Sequence, residues 1–257
     1  MSNIVYSVRN LLAEEEERNK VFFTNFDFVE NELKLTKDIF ENHIDIDRKG
    51  FYGQYAENEK CVLFNMVQWL KPKKIVEFSP SEGYTTLTIA AATMGYASSL
   101  EVSGGLSDNK PCGFESFETY EFDPECVRKS KENLKQFGFD RVQVIEGDVL
   151  QTMDLEKLSR CDFFFIDSDH NKTFVEKYVD KFFHLIPKGT WVAVHDVAFD
   201  PINGETQVIT DWLKKNNREK YFYVRDLANR FGVNDRVPNL WNMKDTETST
   251  TLWWKND

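Results

Sequence analysis

The chain lacks a glycine-rich phosphate loop, a metal-type pairing of cysteines, a membrane-length apolar run and an excess of positive charge, and each absence excludes something. The first apolar strand leads into a turn with a single glycine, so the dinucleotide fingerprint G-x-G-x-x-G is missing where a nicotinamide-binding fold carries it. Four cysteines, Cys61, Cys112, Cys126 and Cys161, are scattered without ligand spacing. They read as reduced thiols of a cytoplasmic protein. No apolar run approaches the roughly 20 residues of a membrane span, and the start, MSNIVYSVRNLLAEEEE, has no basic region followed by an apolar core. A net charge of −11 argues against a nucleic-acid or anionic-membrane partner, since both need a basic stripe. What remains is an ordinary globular protein. A homo-oligomer is compatible with everything in the sequence.

What is present is organised around Lys73 to Thr86, KKIVEFSPSEGYTT. Ile75, Val76 and Phe78 read as a buried parallel strand. Ser79-Pro80-Ser81-Glu82-Gly83 ends it sharply, and a helix follows from Thr85. Strand, tight turn and helix open a nucleotide-binding α/β fold, whose ligands lie outside the carboxyl ends of the strands.

Upstream, residues 1–56 read as a helical extension, with a surface helix at 6–20 and a second helix at about 30–42. GFYGQY at 50–55 could line a substrate entrance or pack into the core. Residues 57–257 read as the main domain. Glu57 to Leu70 is amphipathic and is stopped by Pro72. A Gly-, Ser- and Asn-rich loop occupies 96–114. Strands then follow at 117–122, 141–146, 161–166 and 190–194, each pair separated by a helical segment. That pattern predicts a parallel sheet covered on both faces. Two last strands, at 221–224 and 250–254, are expected as an antiparallel addition at one edge with no helix between them.

Four successive strands end in Glu121, Asp148, Asp167 and His195-Asp196. In a parallel sheet these ends share one rim. A row of acids there is costly unless something cationic or hydrogen-bonding meets it. A carboxylate at Glu121 can accept both hydroxyls of a ribose; Asp123 is the better candidate for the helix cap nearby. Asp148 is either an adenine-side contact or a turn residue. Asp167, His195 and Asp196 offer oxygen and nitrogen donors suited to Mg²⁺ or Mn²⁺. His170 is placed to take a proton from a hydroxyl or, alternatively, to cap the next helix.

These residues resemble the class I S-adenosylmethionine-dependent methyltransferases, and within them the small-molecule O-methyltransferases of catechol, caffeoyl-CoA and macrolide- or glycan-sugar type. IVEFSPSEGYTT is similar to the first motif, YEFDPE to the acid after strand two, and VIEGDV to the adenine contact. FFFIDSDH followed by LIPKGTWVAVHDV is similar to the sugar O-methyltransferase pattern. The resemblance implies a Rossmann-like, seven-stranded sheet with its last strand antiparallel. It implies S-adenosylmethionine as cofactor, with Glu77, Ser79 and Gly83 lining its methionine part, Glu121 on the ribose and Asp148 on the adenine side. It also implies a divalent metal on Asp167, His195 and Asp196, His170 as base, and a sugar, glycan or other vicinal diol as methyl acceptor. The chain departs from the pattern twice. Phe78-Ser79-Pro80 replaces an early glycine, and His195 stands where a carboxylate is commoner. A catalytically silent relative of the same fold and a nicotinamide-dependent oxidoreductase are the alternatives. Tyr52, Tyr55, Asn229, Arg230 and Trp241 are candidate substrate contacts.

Overall fold

The computed structural model describes residues 24–40, 57–94, 113–197, 204–233 and 250–257. The expected helix at 6–20, the GFYGQY segment with Tyr52 and Tyr55, most of the 96–114 loop, Cys112 and Trp241 lie outside the described residues.

A seven-stranded sheet is at the centre, in the order β3-β2-β1-β4-β5-β7-β6. Its strands are β1 (Lys74–Phe78), β2 (Ser116–Glu121), β3 (Gln143–Glu146), β4 (Phe163–Ile166), β5 (Trp191–Val194), β6 (Tyr221–Tyr223) and β7 (Leu252–Lys255). β1 pairs in parallel with β2 and β4, β2 with β3, and β4 with β5. β7 runs antiparallel to both β5 and β6. This is the Rossmann-like methyltransferase arrangement. The helices are α1 (Glu57–Leu70), α2 (Tyr84–Thr93), α3 (Pro124–Gln136), α4 (Val149–Thr152), α5 (Leu155–Leu158), α6 (Lys172–Phe182), α7 (Glu205–Lys215) and α8 (Val224–Phe231).

Side chains alternate across each strand, so the sheet divides the interior into two cores. Ile75, Phe117, Phe163, Phe165, Ala193 and Trp253 face α1 and α2. Val76, Phe78, Phe164, Ile166, Val194 and Trp254 face α6 and α7. β4 is fully buried on both faces, which explains its unbroken apolar sequence. Aromatic rings fill much of the space: Phe163 stacks on Trp253 at 5.6 Å between centroids, and Phe78 meets Phe164 edge-on at 4.8 Å. α2 is buried along almost its whole length, and its run of threonine and alanine lets α1 lie close to it.

Two expectations are corrected. The last two strands do have a helix between them: α8 starts at Val224, directly after β6, and β7 then inserts between β5 and β6. Val224, Leu227 and Ala228, all buried, pack from this helix into one core. In place of one helix over 30–42 there is a π-helical turn, Phe28–Leu33, and a 3-10 turn, Lys37–Phe40. Lys34, at φ 52°, breaks the helical path between them. Both turns dock on the domain core. Phe28 stacks on Trp191 at 6.0 Å, and Asn25 N–H donates to the Tyr221 carbonyl. Among the described residues, no helix is long and apolar enough to cross a membrane.

Candidate functional site

The carboxyl ends of β1, β2, β4 and β5 form the rim, and the turn after β1 is its first wall. No early glycine is present, yet the backbone still takes the conformation glycine prefers. Ser79 and Ser81 have φ of 55° and 51°, and Gly83 has φ of 87°. Hydrogen bonds hold this path. Ser79 N–H donates to the Tyr120 carbonyl at 2.8 Å, and Ser81 N–H donates to Glu121 Oε2 at 2.9 Å. Glu121 Oε1 accepts from Asp123 N–H at 2.9 Å. One nearly buried carboxylate therefore ties the turn after β1 to the turn after β2. Asp123 is the cap of α3, accepting from the amides of Glu125 and Cys126.

The other cofactor-side candidates divide. Ser79 lies on the rim, half-buried. Gly83 is buried, and its hydrogen is required by packing: a Cβ there would lie 2.6 Å from Ser130 Oγ on α3. Glu77 does not reach the open rim. It is fully buried, with Thr85 and Thr86 hydroxyls donating to its two oxygens at 2.8 and 2.6 Å. Burial pushes its carboxyl up to about 7, against the pull of those hydroxyls. Asp148 caps α4, accepting from Leu150 N–H at 2.9 Å, so the turn reading describes its contacts.

Beyond β4 and β5 the acids and imidazoles converge. His195, at the end of β5, is 3% exposed. Its Nδ1 lies 3.1 Å from Asp167 Oδ1 and 3.4 Å from Asp196 Oδ1, while its Nε2 lies 3.0 Å from Glu59 Oε2. A neutral imidazole has one protonated nitrogen and one lone pair, and a lone pair aimed at a carboxylate is repulsive. Acids on both sides favour the protonated ring. Burial alone would lower its pKa; the flanking carboxylates raise it well above the ordinary histidine value. Burial works against the Asp167 carboxylate as well, but the His195 charge wins and holds it below the usual range. Burial pushes Asp196 and Glu59 up. Glu59 is further held by the amide and hydroxyl of Thr251, at 3.0 and 2.8 Å.

His170 occupies the open side of this cluster, its ring a quarter exposed. Its Nε2 lies 3.6 Å from Asp196 Oδ2, and its Nδ1 lies 2.6 Å from Glu205 Oε2. It does not cap α6; Asn171 does, accepting from Thr173 N–H. Burial pulls the His170 pKa down, and Glu205 and Asp196 more than offset that, so it stands above its ordinary value. Asp167, His170 and Asp196 each offer a ligand atom, all within 4.8 Å of one another. This group differs from the expected Asp167, His195 and Asp196 in taking His170 for His195. His195, buried behind them, touches both aspartates through Nδ1.

Two participants escaped the sequence reading. Glu59 stands on the same stripe of α1 as Val62, Leu63 and Met66, all buried. An acid on an apolar stripe was the available signal. Glu205 reads as an ordinary first-turn acid, and nothing in the sequence marks it. Among the substrate-contact candidates, Arg230 is drawn to an exposed ion pair with Glu30 at 2.8 Å.

Residues 76–197 match a family described as a methyltransferase domain. Curated proteins give no match. Among solved structures, the chain is similar to the O-methyltransferase TomG of Streptomyces achromogenes, bound to S-adenosylmethionine: 15% identity, TM-score 0.50, covering 91% of this chain and 97% of that one. It is also similar to the methyltransferase PaMTH1 of Podospora anserina, bound to S-adenosylhomocysteine: 18% identity, TM-score 0.50, covering 86% and 89%. At that identity the likeness speaks for the fold. Residues 76–197 are similar to a methyltransferase domain, and the fold is one that S-adenosylmethionine-binding methyltransferases share.

Proposed function

We propose that this protein is an S-adenosylmethionine-dependent O-methyltransferase acting on a hydroxyl of a sugar, a glycan or another vicinal-diol small molecule. The carrying observation is His170: a partly exposed imidazole at the rim, set beside Asp167 and Asp196 rather than on the surface. TomG, of similar fold, is an O-methyltransferase, which supports the reaction type.

The rim suits the cofactor. Ser168 Oγ, one residue beyond Asp167, is buried with no hydrogen-bond partner among the described residues, as a group awaiting a ligand would be. Each Glu121 oxygen accepts one backbone amide and keeps capacity for a second donor, which suits a ribose diol. Glu121 would hold the ribose, Asp148 and its neighbouring backbone the adenine side, and the Ser79–Gly83 turn the methionine part. Glu77 would act on that part through Thr85 and Thr86. When bound, S-adenosylmethionine supplies a methyl group on a positively charged sulfur.

This chain's task is then positioning and proton transfer. His170 Nε2 takes the acceptor's hydroxyl proton as the oxygen attacks. His195 beside Asp167 favours the ionised carboxylate. The donors Asp167 and Asp196 are oxygens suited to Mg²⁺ or Mn²⁺. His170 Nε2 cannot be both base and ligand, so we assign it as base and the two aspartates as the ion's holders. Such an ion would grip neighbouring diol oxygens and lower the pKa of the reacting one.

The test is calorimetry with S-adenosylhomocysteine on the wild type and Glu121→Ala, followed by methyl transfer to a panel of sugars and catechols. Binding weakened in the variant and transfer to a diol are expected. No heat with the wild type would end the cofactor assignment, and transfer only to amines or thiols would end the O-methyl one.

A further inference from the structure

Glu205 lies beyond residue 197, outside the matched methyltransferase segment, yet its side chain is 3% exposed and points back into the rim. Gly204 turns the chain at φ 73° and α7 begins at Glu205 itself. One oxygen, Oε2, is 2.6 Å from His170 Nδ1. The other, Oε1, accepts from the Tyr178 hydroxyl of α6 at 3.0 Å. Tyr178 is wholly buried, so its hydroxyl has a fixed direction.

An ionised carboxylate only accepts hydrogen bonds. Facing Nδ1, it places the proton of the neutral ring on Nδ1 and leaves the lone pair on Nε2, the nitrogen on the Asp196 side. We propose that Glu205 is the positioning residue of His170. It fixes the Nδ1–H tautomer and the ring direction, and Tyr178 fixes Glu205 in turn. The inference rests on His170 as the base. In the transfer step the acceptor O–H gives its proton to Nε2, the new O–CH₃ bond forms, and the S–CH₃ electron pair stays on sulfur. His170 becomes an imidazolium whose Nδ1–H still faces the Glu205 carboxylate. Its proton then leaves to water from the exposed ring edge.

Glu205→Gln tests this sharply. Tyr178 O–H keeps hold of the amide oxygen, so the amide N–H₂ turns to His170. A donor facing Nδ1 forces the opposite tautomer, with the proton on Nε2. Long-range proton–nitrogen spectra of the ¹⁵N-labelled full chain, at alkaline pH, read the tautomer without any acceptor; His170→Gln assigns the signals. The expected result is Nδ1–H in the wild type and Nε2–H in Glu205→Gln, with S-adenosylhomocysteine affinity kept. On an acceptor found by the panel, kcat falls about 10²-fold or more with KM little changed. An unchanged Nδ1–H signal in the variant overturns the proposal, as does a wild type already in the Nε2–H form. Should Glu205→Gln fail to fold, Tyr178→Phe serves: a mixture of tautomers supports the proposal and a pure Nδ1–H form counts against it. A tautomer that inverts while His170→Ala keeps full turnover would leave Glu205 as positioner and remove His170 as the base.

Discussion

His195 Nε2 lies 3.0 Å from Glu59 Oε2, joining the end of β5 to the first turn of α1. The contact answers a question raised by the rim. A row of carboxylates needs positive charge, and here the fold supplies part of it from within.

Removing one side of this pair leaves a buried polar group short of a partner. Glu59→Gln is expected to destabilise the protein by about 3 kcal/mol, measured by urea unfolding at neutral pH. A change within about 0.5 kcal/mol, typical of surface positions, would show that His195 does not depend on Glu59.

Glu77 gives the stability a pH dependence of defined sign. Its native carboxyl titrates at about 7 against an ordinary 4.5, so the native state holds the proton more tightly. The resulting stabilisation is complete below 4.5 and is lost as pH rises through about 7. The difference of about 2.5 pH units corresponds to about 3 kcal/mol. Glu77→Gln lacks this titration. Its stability relative to the wild type should therefore improve by that amount across the window, in unfolding curves of the protein without cofactor. Parallel curves for the two proteins would contradict the assignment.

Gly83 and Ser130 are coupled by contact. Gly83→Ala adds a methyl 2.6 Å from Ser130 Oγ, at a φ of 87°. The expected cost is about 2 kcal/mol from strain and overpacking. Ser130→Ala removes the hydroxyl, so the double variant should recover part of that cost. Strict additivity would mean that the backbone conformation alone demands glycine.

Catalysis should separate from binding at His170. His170→Ala is expected to lower methyl transfer about 10²- to 10⁴-fold while S-adenosylhomocysteine affinity stays within about twofold of the wild type, a difference under 0.5 kcal/mol. Asp167→Ala should remove whatever part of the activity a chelator removes. Full wild-type activity in chelator would take the ion out of the mechanism.

The alternation of apolar strands with helical segments was enough to specify the sheet. A fully apolar FFFI can be satisfied only in the middle of a doubly covered sheet, and period-2 patterning sets the two cores. The motif around Asp167 and His170, and the acid after β2, identified the rim because parallel strands bring their ends together whatever the loops between them do. Single-residue chemistry was less legible. The surroundings of His195 include Glu59, distant in sequence and contributed by another element. Glu205 could not be read at all. A first-turn glutamate is commonplace, and only the packing of α7 against α6 turns this one inward to His170 and Tyr178. Composition and periodicity thus determined the architecture, since burial of apolar area is set by local pattern. The surroundings of the two imidazoles were decided only by tertiary structure, because they follow from which distant carboxylates come within hydrogen-bonding distance.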